Sequence, residues 1–126
     1  MAQQENMSLP KLGFGTGKIH DASIIESAIR VGYRHLDTAT IYGNEAVVGQ
    51  AITNSIAAGL VRREELFITT KIWHSEYADP EAAIRGSLER LGLEYVDMYL
   101  VHWPNNGFSE PKIPMHVLWA RMEALE

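Results

Sequence analysis

Four times along this sequence, a short apolar run precedes a stretch whose apolar residues recur at helical spacing. Such alternation is typical of a parallel sheet covered by helices, because neighbouring parallel strands need a crossover connection. The sequence therefore predicts an α/β domain of about four β/α units with parallel strands and no internal linker. The predicted strands cover residues 9–16, 34–37, 66–70 and 96–101.

Capping residues indicate where the helices begin and end. The third helix has the clearest signals, with Asp79 as N-cap, Pro80 at the first position and Gly92 after the last turn. Asn44 is expected to cap the second helix through its side chain. The other expected boundaries are Asp21 or Ser23 and Gly32 for the first helix, Gly59 after the second, and residues 115–125 for the fourth.

Two further interpretations concern exposure. The charged run 62–65, Arg-Arg-Glu-Glu, is interpreted as a solvated cluster before the third strand. The fourth strand is apolar at nearly every position, which is typical of a parallel strand covered on both faces.

Polar residues follow three of the predicted strands directly or within one short loop. Asp37 ends the second strand and Tyr42 lies in the loop after it, while Lys71 follows the third strand and His102 the fourth. Because the carboxyl ends of parallel strands meet at one edge, these four side chains are expected to gather there. Singly, each residue has an ordinary structural explanation as a turn former, packing residue or ion-pair partner. Together they form a proton-transfer site, since a nearby cation favours the deprotonated form of a phenol.

Four ordered motifs carry a resemblance to a known family. They are GFGT at 13–16, HLDTA at 35–39 with YGNE at 42–45, TKIW at 70–73 and DMYLVHWP at 97–104. The sequence closely resembles the aldo-keto reductases from about Leu12 onward. Members of that family are single (β/α)8 barrels, which take roughly 250 residues. The resemblance therefore implies the N-terminal half of a (β/α)8 TIM barrel, with residues 1–126 as one truncated domain and 1–8 as a polar lead-in.

The resemblance also implies an activity, the reduction of aldehydes or ketones to alcohols by hydride transfer from NADPH. Tyr42 would give a proton to the carbonyl oxygen, and Lys71 would assist by favouring the deprotonated phenol. Asp37 would hold Lys71, and His102 would orient the carbonyl group. These four residues are the expected catalytic set.

Further positions match cofactor and substrate contacts of the family. Thr16, Gly17 and Asp37 correspond to contacts with the nicotinamide and its ribose. Trp73 and Trp103, together with His102, would form walls of the substrate pocket. Gly17 departs from the pattern, because many members place an aromatic residue there, so relatives do not indicate the substrate's size. The residues do not specify the substrate or distinguish NADPH from NADH.

The amino-acid composition limits the classes of partner that the protein can bind. A net charge of −5 and an isoelectric point near 5.5 give no basic patch, which argues against nucleic acid. The chain has no cysteine, so disulfides and thiolate metal sites are ruled out, and no metal site is expected. No apolar run approaches the roughly 18 residues of a membrane span. We therefore expect a cytoplasmic protein whose partner is a small-molecule carbonyl substrate.

Four parallel strands without the rest of a barrel would have two unpaired edges and an open apolar face. Three arrangements are compatible with the sequence. The chain is a fragment of a longer enzyme, or a half-barrel closed by a second copy, or a truncated and inactive relative that serves as a structural subunit against another protein.

Overall fold

The computed structural model describes residues 8–105 and 107–125. Apart from Ser8, the predicted lead-in lies outside these residues. The chain alternates strand and helix four times, as predicted, and short 3-10 turns at Thr40–Tyr42, Arg63–Glu65 and His74–Glu76 lie in the connections. The strands are β1 (Gly13–Gly15), β2 (His35–Asp37), β3 (Phe67–Ile72) and β4 (Met98–Val101), and the helices are α1 (Ala22–Val31), α2 (Glu45–Ala57), α3 (Pro80–Leu91) and α4 (Met115–Glu123).

The four strands form one parallel sheet in the order β1-β2-β3-β4. Asp37 lies in register with Gly15 on one side and with Thr69 on the other. Lys71 pairs with Leu100 of β4. All strands point the same way, so their carboxyl ends lie at a common edge, and the predicted α/β half-barrel arrangement is confirmed.

The helices pack on one face of this sheet in two apolar clusters. The first lies between α1, α2 and the strands β2 and β3, with Ile25, Leu36, Ile52 and Ile68 fully buried. The second surrounds Ile72 and is formed by residues of β4, α3, α4 and the segments that flank these two helices. Each large apolar side chain buried in this way stabilises the fold by roughly 1.5–3 kcal/mol.

Most helix ends follow the predicted caps. The Asp21 side chain accepts a hydrogen bond from the backbone N–H of Ser23 at 2.9 Å, and Asp79 accepts one from Ala82 at 3.1 Å. Gly32 and Gly92 end α1 and α3 with φ angles of 116° and 67°, a conformation that favours glycine. These contacts explain why the boundaries of α1 and α3 could be predicted to within one residue.

Strand lengths and faces differ from the prediction. Only residues 13–15 of the predicted first strand pair with β2, while Leu9 and Leu12 before them are exposed. The fourth strand begins at Met98, and Leu100 on it is 38% exposed. The expectation that β4 is covered on both faces is therefore wrong for the described residues, because helices cover one face alone.

The charged run before β3 is also more ordered than predicted. The Arg63 guanidinium donates to the carboxylate of Asp97 at 2.9 Å and to the backbone oxygen of Tyr95 at the same distance. It also lies 4.0 Å from the centre of the Tyr95 ring. Asp97 in turn accepts from the backbone N–H of Ile68. The Arg63 side chain therefore links the starts of β3 and β4. It turns inward, whereas the Arg62 side chain stays exposed.

Candidate active site

Asp37 and Lys71 form an ion pair at the carboxyl edge of the sheet. Lys71 Nζ donates to Asp37 Oδ2 at 2.8 Å and to the backbone oxygen of Thr38 at 2.9 Å. The Lys71 side chain is only 13% exposed. An ammonium this far from solvent needs such acceptors, because an unpaired buried charge costs several kcal/mol.

The phenol of Tyr42 lies beside the same ammonium. Tyr42 ends the 3-10 turn Thr40–Tyr42, and Gly43 turns the chain away with a φ of 65°. Lys71 Nζ is 3.5 Å from the Tyr42 hydroxyl and 5.1 Å from the centre of its ring. The first distance is at the long limit of a hydrogen bond, and the second lies within the range of a cation–π contact.

His102 follows β4 and faces Tyr42. The two ring centres are 6.0 Å apart in an edge-to-face arrangement. Burial and, to a smaller degree, the positive charge of Lys71 lower the pKa of His102 below its usual value, while Asp37 acts in the opposite direction. His102 is therefore neutral at pH 7. Its Nδ1 atom is buried and has no hydrogen-bond partner among the described residues.

Aromatic side chains surround this imidazole. Trp73 lies 5.2 Å from His102 and 4.7 Å from Trp103 between ring centres. His74 stacks on Trp103 at 5.1 Å, so a third ring extends this wall. Tyr77 fixes the wall by donating its hydroxyl to the Trp103 backbone oxygen at 2.8 Å and accepting from the Trp103 N–H at 3.1 Å.

Two of the residues predicted to contact a cofactor, Thr16 and Gly17, follow β1 and lie next to Asp37 and Tyr42. Thr16 is fully buried, and its hydroxyl donates to the backbone oxygen of Asp37 at 2.9 Å. That bond braces the end of β2. Gly17 faces the Tyr42 ring, and a Cβ at this position would lie 3.8 Å from the nearest ring atom. A cavity of about 420 Å³ opens here, lined by Gly17, Lys18, His20, Ile41 and Tyr42.

The structure thus places Asp37, Tyr42, Lys71 and His102 together, with Trp73 and Trp103 beside His102 and with Thr16 and Gly17 next to Asp37 and Tyr42. A larger cavity of about 950 Å³ lies between α3, β4 and α4, and none of these eight residues lines it. We assign the site by its chemistry rather than by cavity size, because the smaller cavity adjoins the titratable groups.

Three residues that contribute to the site were not among the predicted site residues. No sequence pattern indicated a role for His74, which only follows Trp73 in the chain. Asn44 occupies the predicted N-cap position of α2, but its side chain makes no cap hydrogen bond. Instead it donates to the backbone oxygens of Thr16 and Ile19. Asn44 does lie at the N-cap position, but the expected side-chain cap is wrong, because the Oδ1 atom that would accept from a helix N–H accepts from the Thr38 hydroxyl instead.

Glu45 is the third of these residues. Its side chain is 1% exposed, and it accepts hydrogen bonds from the Thr70 hydroxyl at 2.7 Å and from Arg90 Nε at 2.9 Å. Thr70 directly precedes Lys71, so this carboxylate ties the strand that carries Lys71 to α2 and α3. An acidic residue in the first turn of a helix is ordinary in a sequence, and nothing in its surroundings predicts this burial.

Taken together, the site offers a phenol beside an ammonium, a neutral imidazole facing the phenol, and aromatic walls. Such a set can donate a proton to an oxygen held between Tyr42 and His102. No group of three or more His, Asp or Glu side chains that could hold a metal ion occurs in residues 8–105 and 107–125. No helix in the same residues has the length and hydropathy of a membrane span.

Comparisons with known proteins give a consistent result. Residues 11–126 match the Aldo/keto reductase family. The chain is 55% identical over 100 residues to Aldehyde reductase YPR1 of Saccharomyces cerevisiae. The aligned region covers 77% of this chain and 31% of that protein. It is 52% identical over 99 residues to Glycerol 2-dehydrogenase (NADP(+)) of the same yeast, covering 76% of this chain and 30% of that protein.

Solved structures agree with the sequence matches. A crystal structure of a Bombyx mori aldo-keto reductase (AKR2E4) in complex with NADP superposes with a TM-score of 0.84 at 39% identity, covering 92% of this chain and 42% of that one. The chain thus spans about a third of the length of the two yeast relatives and two fifths of this structure.

Proposed function

The chain belongs to the aldo/keto reductase family, and from this premise we propose that it carries the proton-donating site of an NADPH-dependent carbonyl reductase. The substrate is an aldehyde or ketone, and the product is the alcohol. The observation that carries the proposal is the position of the Lys71 ammonium between Asp37 Oδ2 at 2.8 Å and the Tyr42 hydroxyl at 3.5 Å.

In this proposal, Tyr42 donates its hydroxyl proton to the carbonyl oxygen as negative charge develops there. Lys71 stabilises the phenolate that Tyr42 leaves behind, since an ammonium nearby favours the charged form. Asp37 holds Lys71 in place and compensates its charge. His102, neutral at pH 7, donates a hydrogen bond to the same carbonyl oxygen and orients it.

Bound NADPH would supply the hydride. The fit of a nicotinamide rests on Gly17, whose missing side chain leaves the Tyr42 ring open to the cavity of about 420 Å³. Thr16, Gly17 and Asp37 are the proposed cofactor contacts, and Trp73, His102 and Trp103 the proposed substrate contacts. The preference for NADPH is supported by the NADP in the Bombyx mori complex and by the NADP(+) in the name of the yeast glycerol dehydrogenase.

The activity of the whole protein is part of the proposal, because the chain spans only about a third of the yeast relatives. Cytoplasm is the proposed compartment, on the ground that a chain without cysteine suits a reducing environment.

Replacement of Tyr42 by phenylalanine tests the proposal. In the natural protein, Tyr42→Phe should lower kcat/KM for an aldehyde panel by far more than tenfold and leave NADPH affinity within about twofold. Tyr33→Phe is the matched control, since Tyr33 packs edge to face on Phe14 at the amino end of β2. Retention of more than about a tenth of the activity, a loss below about 1.4 kcal/mol, would show that Tyr42 is not the proton donor.

A further inference from the structure

Asn44 lies two residues after Tyr42, and its side-chain amide is completely buried. Its Nδ2 atom donates to the backbone oxygen of Thr16 at 2.6 Å and to that of Ile19 at 2.9 Å. Its Oδ1 atom accepts from the hydroxyl of Thr38 at 3.0 Å. One amide therefore joins the loop after β1, the end of β2 and the loop that carries Tyr42.

These bonds are not those of a helix cap. Asn44 begins α2 through its backbone oxygen, which accepts from the N–H of Val48 at 3.0 Å. Its side chain makes no cap hydrogen bond. A buried amide is costly unless its polar atoms are paired. Here all three described partners belong to the two loops around the candidate site, so the amide serves these loops and not the helix.

The contacts of Asn44 reach both Tyr42, the proposed proton donor, and Lys71, which would stabilise the phenolate. The backbone oxygen of Thr38, whose hydroxyl binds Asn44, accepts from Lys71 Nζ at 2.9 Å. Tyr42 is separated from Asn44 by Gly43 alone, and the Tyr42 hydroxyl is 3.5 Å from the same Nζ. Glycine at φ 65° is conformationally permissive, so the Asn44 side chain directly after it adds an anchor to the two backbone hydrogen bonds within the Tyr42 turn.

We propose that Asn44 is a positioning residue that fixes the Tyr42 phenol relative to the Lys71 ammonium by holding Thr38 and the loop 16–19. The proposal rests on the function proposed above. Lys71 stabilises the developing phenolate only when its ammonium stays close to the Tyr42 hydroxyl, so loosening the placement of either group lowers the rate of the chemical step.

The first test is Asn44→Ala in the natural protein, with NADPH and the aldehyde on which the wild type is most active. We expect kcat to fall at least tenfold. Asn54→Ala is the matched control, because Asn54 lies on the same helix, is exposed, and uses its amide only to bind Glu26 and Gln50 in the structure. Asn54→Ala should keep kcat within twofold. Wild-type kcat in folded Asn44→Ala would overturn the proposal.

The decisive readout is the same substitution in a Tyr42→Phe background, measured on the residual turnover. If Asn44 acts through Tyr42, adding Asn44→Ala to Tyr42→Phe changes kcat less than twofold, since the group it positions is already gone. If Asn44 only supports the fold or the cofactor, its effect multiplies with that of Tyr42→Phe. Multiplicative effects would therefore overturn the proposal.

A milder variant covers the case in which Asn44→Ala does not fold by circular dichroism. Thr38→Val removes one of the three bonds of the amide and keeps the shape of the side chain. We expect a loss of about threefold in kcat that vanishes in the Tyr42→Phe background. If neither variant folds, Asn44 is required for the fold itself, and the positioning role is rejected.

These outcomes are distinct from failure of the proposed function. If the wild type reduces no carbonyl with NADPH, or if Tyr42→Phe keeps its activity, the assignment of Tyr42 fails first. If Tyr42→Phe is impaired but Asn44→Ala is not, the function stands and only the role of Asn44 is wrong.

Discussion

Lys71 acts on two neighbours within the site. Its ammonium is held by Asp37 and lies beside Tyr42, and its positive charge also reaches His102. The same charge that would stabilise a phenolate makes an imidazolium less favourable. In the proposed function, this one cation would support Tyr42 as the acid, and it adds to the effect of burial in lowering the pKa of His102, which divides the two roles between the two groups.

This division predicts a shift in the titration of His102. Lys71→Met removes a charge that lowers the pKa of His102 and leaves the Asp37 carboxylate, which raises it. Loss of the positive charge favours the imidazolium, so the titration midpoint should move to higher pH. The measurement is the pH dependence of the His102 ring signals by NMR in the natural protein.

The control for that measurement is Lys11→Met, which removes a positive charge from an exposed position before β1. It should leave the midpoint unchanged. A midpoint in Lys71→Met that stays in place or moves to lower pH would show that Lys71 does not act on His102.

The lowered pKa of His102 also predicts how stability depends on pH. The unfolded chain protonates this histidine near its ordinary value of about 6.5, whereas the folded chain keeps it neutral to lower pH. The unfolded state therefore binds more protons in that window, and the free energy of unfolding should rise with pH through it. Urea titrations from pH 5 to 7.5 should show a slope that is smaller in His102→Gln, and equal slopes would contradict this account.

At this scale, the sequence predicts residues whose position follows from a strand end. Asp37, Lys71 and His102 could be placed together because parallel strands bring their carboxyl ends to one edge. Asn44 and His74 could not, because their contacts depend on how separate loops meet. No periodicity encodes a hydrogen bond from residue 44 to the carbonyl oxygen of residue 16.

At the level of elements, the contact between α2 and α3 is unusually close at Gly49. A Cβ at this position would lie 2.2 Å from the backbone oxygen of Leu91, the last residue of α3. No side-chain rearrangement can relieve a contact with backbone. An isolated glycine inside a helical pattern often indicates close packing, so this contact had a signal in the sequence.

Gly49→Ala should therefore destabilise the protein by about 1–3 kcal/mol, because α2 must move away from α3. The measurement is the free energy of unfolding in urea. Gly86→Ala is the matched control in α3, where the new methyl group meets only the end of the Arg90 side chain. It should be neutral or stabilise by up to about 1 kcal/mol, since alanine favours helix. If the two substitutions changed the free energy of unfolding equally, α2 could move away from α3 at no measurable cost, which would contradict this account.

Element boundaries also show what limits prediction from sequence. α3 could be placed closely because Asp79, Pro80 and Gly92 act locally. Arg63 was predicted as exposed because its neighbours are charged, yet it turns inward to Asp97, which lies 34 residues later. A local sequence pattern cannot predict an ion pair between residues this far apart in the chain.

For the whole molecule, the four-stranded sheet has β1 and β4 at its two edges. The backbone of β4 pairs with β3 on one side, and its other side has no strand partner among the described residues. Met98 and Leu100 lie on the face of the sheet that carries Lys71, since they are in register with Thr69 and Lys71. The matched reductases are two to three times longer than this chain.

The last prediction concerns a polypeptide that consists of these 126 residues alone. β4 contains no lysine, proline or bulge of the kind that protects natural edge strands, and its own residue Leu100 is 38% exposed. Pairing of this edge and burial of its apolar side chains against a second copy would contribute roughly 1.5–3 kcal/mol for each large residue, which is substantial beside a typical stability of about 5–15 kcal/mol. Light scattering on the purified polypeptide should therefore give a mass above 14.1 kDa.

Leu100→Lys should reduce this association, whereas Val31→Lys at the exposed end of α1 should not, because Leu100 lies on the unpaired edge strand and Val31 does not. A clean 14.1 kDa monomer with a cooperative melt would show that the open sheet is stable without a partner.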